Sequence, residues 1–139
     1  MSLKSIFAIP FAKIATRRVY KWAKNPHKTQ EKVFKKLISK GSKTVFGKDH
    51  NFSTISNYED FKKQVKVTDY EGLRPYVDRI VAGESNVLWT GKPLYFAKTS
   101  GTTSGAKYIP ITKDSMPTHI KAARNALLFY ILEKKDASF

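Results

Sequence analysis

The stretch Tyr95-Phe96-Ala97-Lys98-Thr99-Ser100-Gly101-Thr102-Thr103-Ser104-Gly105-Ala106-Lys107-Tyr108-Ile109-Pro110 places a hydroxyl- and glycine-rich loop between two strand-like segments. Of the six residues Thr99 to Ser104 only Gly101 lacks a side-chain hydroxyl. Gly101 and Gly105 let the backbone turn its N–H groups toward an anion, and Lys107 follows closely enough to add a full positive charge. These residues read as a nucleotide-phosphate cradle. The common phosphate loop needs four residues between its glycines and a Gly-Lys-Ser/Thr ending. Here three residues separate Gly101 from Gly105, and Ala106 precedes the lysine. The plainer alternative is a polar hairpin turn, because Ser, Thr and Gly are ordinary turn residues.

Outward from the loop, Leu94 to Ala97 and Tyr108 to Ile111 are the expected strands, with Tyr95, Phe96 and Tyr108 as packing residues. Thr112 is the expected cap of a last helix through Ala122, Leu127, Leu128, Ile131 and Leu132. Upstream, Asn25 before Pro26 starts a helix whose stripe Val33, Phe34, Leu37 and Ile38 runs toward Gly41. Ser56 with Glu59 and Thr68 with Glu71 form capping-box patterns, and Gly83 ends the second of those helices. Glu59, Asp60 and Glu71 fall in first helical turns, where they complement the helix dipole, so none is assigned a catalytic role.

The 139 residues amount to one domain's worth of chain. There is no cysteine, and the 41% hydrophobic content supports a packed core, as expected of an intracellular, cytoplasmic protein. His27, His50 and His119 lack ligand spacing, so no metal site is assigned. Of the formal +15 charge, residues 1–50 hold 13 Lys/Arg against Glu31 and Asp49, a net of +11. That block suits a solvated or intramolecular face, an anionic membrane surface or nucleic acid.

Residues 1–25 read as a basic amphipathic helix, broken or kinked near Pro10, with Leu3, Phe7, Phe11, Ile14, Val19 and Trp22 near helical spacing. Lys13 interrupts the apolar stretch too early for a membrane span or a secretory signal, while the Arg content and absence of acids also match an organelle transit peptide.

Thr99-Ser100-Gly101-Thr102-Thr103 with Lys107 resembles the phosphate-loop signature of the adenylate-forming enzymes. Ser104 and Ala106 stand where most of that superfamily has glycine and proline. Those departures, with the continuation Lys107-Tyr108-Ile109-Pro110-Ile111-Thr112, are similar to the auxin-responsive-promoter family of acyl-acid amido synthetases. Thr44-Val45-Phe46-Gly47-Lys48-Asp49-His50, Tyr58-Glu59-Asp60-Phe61 and Tyr70-Glu71-Gly72-Leu73-Arg74-Pro75-Tyr76, ahead of Gly83-Glu84, resemble that family's amino-terminal region in order.

The resemblance implies an α/β fold overall, with this chain mostly helical plus a short hairpin carrying the phosphate loop. Residues 26–139 would be the amino-terminal part of one adenylate-forming domain, and the chain alone is expected to be inactive. Ser100, Gly101, Thr102, Thr103, Ser104, Gly105 and Lys107 would hold ATP phosphates, with Mg²⁺ bridging them, and the catalytic residues stay unassigned. The implied substrates are a carboxylic acid and an amine, typically of an amino acid; which ones is not readable. The other function class is a small basic protein that binds an anionic membrane or nucleic acid through residues 4–48. Strands belonging to a larger sheet would leave edges open, so self-association is expected, with exchange of the last helix as one route.

Overall fold

The computed structural model describes residues 3–100 and 105–135. Gly101, Thr102, Thr103 and Ser104 lie outside the described residues. Six helices and one hairpin follow in order among those described: α1 (Leu3–Ala23), α2 (Pro26–Gly41), α3 (Val45–Asp49), α4 (Tyr58–Gln64), α5 (Tyr70–Val81), β1 (Tyr95–Lys98), β2 (Tyr108–Ile111) and α6 (Met116–Lys134). A single 3-10 turn, Phe52–Thr54, joins α3 to α4. The chain is therefore mostly helical with a two-stranded antiparallel hairpin, as expected. It divides into two compact units, one of residues up to Gln30 with those from Asp114 onward, the other Glu31–Lys113.

In the first unit α1 packs on α6 through small residues. Ala12, Leu128 and Ile131 are buried, with Ala8, Ile9, Ala15 and Leu132 against them. The alanines bring the helix surfaces close, and buried Thr16 returns its hydroxyl to the Ala12 carbonyl at 2.8 Å. Tyr20 meets Phe129 edge-on. The expected break at Pro10 does not divide the helix. Proline removes one backbone bond, and Ala8, Ile9, Ala12 and Ala15 hold both sides of Pro10 in the same core. Thr112 is not the cap of α6: that helix starts at Met116 after Ser115, whose side chain makes no cap bond. Pro117 sets the start by supplying a pre-organised φ in the first turn, where a missing N–H costs nothing.

In the second unit α2, α3, α4 and α5 surround a core of Ile38, Ile55, Val77, Ile80 and Val87. Edge-on contacts of Phe34 with Phe61, Phe52 with Phe61, and Phe46 with both Phe52 and Tyr76 extend it. Thr44 caps α3 by accepting from the Gly47 N–H at 3.0 Å while donating to the Gly41 carbonyl at 2.7 Å. The first α3 amides, Val45 and Phe46, donate to the carbonyls of Asn86 and Val87 at 2.8 and 3.0 Å. That pairing ties the long connection after α5 to the core.

Both expected N-caps lie one residue downstream of their sequence positions, and neither forms the expected box with a glutamate. Asn57, not Ser56, caps α4 by accepting from the Asp60 N–H, and the Asp60 carboxylate accepts in return from the Ser56 N–H. Asp69, not Thr68, caps α5 by accepting from the Gly72 N–H. Asp ranks above Thr as a cap, but Asn and Ser rank alike, so at α4 the position of the first helical turn decides between them. Glu59 and Glu71 are thereby released to pair with Lys62 and Arg74. Gly83, at φ +96°, closes α5 as foreseen: its N–H donates to Ile80 and that of Glu84 to Arg79, a complete Schellman motif.

The hairpin pairs Tyr95 with Ile111, Phe96 with Pro110, Ala97 with Ile109 and Lys98 with Tyr108. Pro110 is tolerated because positions 108 and 110 turn their N–H groups away from β1. Phe96 touches Tyr108 edge-on, whereas Tyr95, expected to pack, is 64% exposed. No helix among the described residues is long and apolar enough to cross a membrane.

Candidate functional site

The run that suggested a phosphate cradle connects β1 to β2, and its described ends form a closed neck. The Thr99 N–H donates to the Lys107 carbonyl at 3.1 Å, and the Lys107 N–H donates to the Thr99 hydroxyl at 3.3 Å. Gly105 adopts φ +78°, a left-handed conformation that favours glycine, and a Cβ there would meet no atom of the described residues within 4 Å. The left-handed conformation by itself accounts for glycine at this position. Ser100 and Gly105 are solvent-exposed and Lys107 half-buried at the neck. Gly101, Thr102, Thr103 and Ser104 carry the remaining candidate donors but stand outside the described residues.

One side chain from elsewhere organises this neck. Tyr70, the first residue of α5, brings its phenol oxygen to the backbone of Tyr108: it accepts from the Tyr108 N–H at 2.9 Å and donates to the Tyr108 carbonyl at 3.4 Å. A single hydroxyl thus satisfies both outward-facing backbone groups of Tyr108. The Lys107 ammonium lies 5.5 Å from the centroid of the Tyr70 ring and the Arg74 guanidinium 5.3 Å from it. Lys98, opposite Tyr108 in the ladder, places its ammonium 6.0 Å from the Tyr108 ring.

Arg74 is committed to Glu71 by two hydrogen bonds of 2.6 and 2.8 Å. That bonding holds the Glu71 carboxyl below its usual range and raises the Arg74 guanidinium above its own. Lys107 adds a smaller favourable field on Glu71. The site is therefore net cationic, with its nearest carboxylate already occupied. Such a surface attracts anions. Among the described residues no three His, Cys, Asp or Glu side chains converge as a metal site.

Lys98 and Tyr70 belong to this arrangement, although local pattern singled out neither as a site residue. Lys98 adjoins the hydroxyl run and could have been included on proximity. Nothing local marks Tyr70, which meets its partner across a separation of 38 residues.

The first unit carries a second cationic surface. A groove of about 330 Å³ runs between α1 and α6, walled by Phe11, Ile14 and Trp22, with Arg18, Lys121 and Arg124 at its sides. Phe7, Phe11, Ile14 and Trp22 are each more than half exposed.

A family model described as the GH3 family N-terminal domain matches residues 15–137. Over 133 residues the chain is 29% identical to indole-3-acetic acid-amido synthetase GH3.2 of Arabidopsis thaliana, covering 94% of this chain and 22% of that protein. It is 32% identical over 98 residues to indole-3-acetic acid-amido synthetase GH3.15 of the same plant, covering 69% of this chain and 16% of that protein. Jasmonoyl-L-amino acid synthetase JAR4 of Nicotiana attenuata is 25% identical over 108 residues, covering 76% of this chain and 19% of that protein. The chain thus spans about a fifth of the length of these curated relatives.

Proposed function

The chain belongs to the GH3 family through its N-terminal domain, and from that membership we propose that it is the phosphate-binding portion of an ATP-dependent acyl-acid amido synthetase. In the proposed reaction a carboxylate oxygen bonds to the α-phosphorus of ATP as the bond to pyrophosphate breaks. An amine, typically of an amino acid, then attacks the acyl carbon, forms the amide, loses a proton and releases AMP. Both steps need more than this chain, which on this reading is inactive alone.

The observation that carries the proposal is the neck of the hairpin, where a left-handed Gly105 and an ammonium on Lys107 stand at the exit of a hydroxyl-rich loop. Ser100, Gly101, Thr102, Thr103, Ser104 and Gly105 would donate N–H and O–H groups to the β- and γ-phosphates, and Lys107 would add point charge. Such donors relieve the repulsion between an attacking carboxylate and a polyanion, and they stabilise the leaving pyrophosphate. Mg²⁺, a hard cation that takes oxygen ligands, would enter with the nucleotide. A cytoplasmic setting fits the absence of cysteine from the sequence.

A second reading draws on the exposed stripe and cations of α1, which suit an anionic membrane or nucleic acid. One calorimetric titration separates the two. MgATP binding should vanish with Thr102→Ala/Lys107→Ala and survive charge reversal at Arg17, Arg18 and Lys21. Binding that survives the first variant sinks the phosphate reading. Loss on charge reversal alone moves the interaction-protein reading forward.

A further inference from the structure

Helix α1 is apolar on two faces. Ala8, Ala12 and Ala15 turn toward α6, where Ala12 is buried with Leu128 and Ile131. Phe7, Phe11, Ile14 and Trp22 also recur at helical spacing, on a second face about a quarter-turn away, and each is more than half exposed. The cations gather beside this second face. Arg18 stands in the exposed stripe, and α6 brings Lys121 and Arg124 to the same groove from the far end of the sequence. All three are solvent-exposed and make no ion pair among the described residues. No Asp or Glu lines the groove, and none precedes Glu31 in the sequence.

Apolar side chains that stand out of a surface rimmed by unpaired cations complement a partner that is apolar within and negative at its boundary. A small anion would engage one point, whereas the stripe runs about 22 Å along α1 from Phe7 to Trp22. We propose that this α1–α6 face docks on an anionic lipid bilayer. Phe7, Phe11, Ile14 and Trp22 enter the headgroup region, and Arg18, Lys121 and Arg124 lay their alkyl stems along them and meet the lipid phosphates and carboxylates. The proposal rests on the second reading for its anionic partner. It selects a membrane over nucleic acid because the exposed stripe is apolar, and it adds α6 to the surface. The phosphate reading of the hairpin is independent of it.

The probes are phosphatidylcholine vesicles with and without phosphatidylserine, prepared also with brominated acyl chains that quench tryptophan on contact. At low ionic strength the phosphatidylserine vesicles should bind the chain, shift its fluorescence to the blue and, when brominated, quench it. Both signals should vanish in Trp22→Phe and persist in Trp89→Phe, these being the two tryptophans. Lys121→Gln/Arg124→Gln should weaken partitioning about 25-fold, at about fivefold per cation, and Phe7→Gln about tenfold. Lys32→Gln/Lys36→Gln, which removes two exposed cations of α2, should matter far less. Equal losses from the two pairs, or binding without quenching at Trp22, would overturn the docking face while general attraction to an anionic membrane stands. Equal binding to both kinds of vesicle removes the role of charge and overturns the proposal. Binding to neither sinks it together with the membrane reading, whereas MgATP binding by the hairpin would be unaffected. A blue shift of Trp22 that grows with protein concentration in the absence of lipid would show that a second copy covers the stripe, and the proposal fails.

Discussion

At Gly47 a hydrogen stands where any other residue would put a methyl carbon 2.0 Å from the Gly41 carbonyl oxygen and 2.6 Å from its carbon. The obstacle is backbone at the end of α2, and the same carbonyl is engaged by the Thr44 hydroxyl that caps α3. Relief therefore requires a helix end to move. Gly47→Ala is expected to cost about 3 kcal/mol or more, the upper end for overpacking a close contact. Gly72 is the useful contrast, because the nearest atom to its Cβ would be the Thr68 hydroxyl at 1.9 Å. A side chain can rotate where a carbonyl cannot, so Gly72→Ala should cost only about 1–2 kcal/mol, with part recovered in Thr68→Ala/Gly72→Ala. Urea unfolding of the three variants checks the order. Equal losses at Gly47 and Gly72 would mean that the backbone at Gly41 yields as easily as a rotamer.

Among elements, α5 does the most to place the neck, since Tyr70 begins it and the Schellman turn after Ala82 ends it. Its end is pinned by Arg79, which donates to both Glu84 oxygens at 2.7 and 2.6 Å. Those bonds lower the Glu84 pKa and raise that of Arg79. A carboxylate whose folded pKa lies below its unfolded value contributes stability above the unfolded pKa and loses it as pH falls through the folded one. The stability difference between wild type and Glu84→Gln should thus be constant from about pH 7 to 5.5 and shrink below about pH 4.5. A difference that persists undiminished at about pH 3 would show that the pair acts through packing instead. The boundaries of such elements were only partly legible beforehand. Helix existence followed from apolar spacing, as for Val33 to Ile38, and Gly83 followed from its conformational freedom. The caps slipped by one because Ser56 and Asn57, like Thr68 and Asp69, are adjacent candidates whose competition is settled by geometry. Tyr70 was hidden for a different reason: its bonds to Tyr108 form where α5 meets β2, and sequence spacing does not encode that meeting.

For the whole molecule, the open edge of β1 competes with charge. Because Tyr108 and Pro110 face their amide positions outward, their partners Lys98 and Phe96 do the same on the other side, and no further strand covers that edge among the described residues. Tyr70 occupies the matching edge of β2 at Tyr108, so addition is favoured at β1. Leu94 and Tyr95, 49% and 64% exposed, offer apolar surface to a second copy. Against this stands a net charge of +15, whose repulsion reaches about 10 Å in 0.1 M salt and about 3 Å at 1 M. Self-association should therefore be weak at low ionic strength and grow with salt across micromolar concentrations, as read by light scattering. Phe96→Pro tests the route, because it removes an outward N–H without deleting a bond of the β1–β2 ladder. It should hold the mass at 15.8 kDa where wild type associates. Wild type that stays at that mass in high salt would show that the β1 edge does not recruit a partner strand, and association undiminished by Phe96→Pro would move the contact elsewhere.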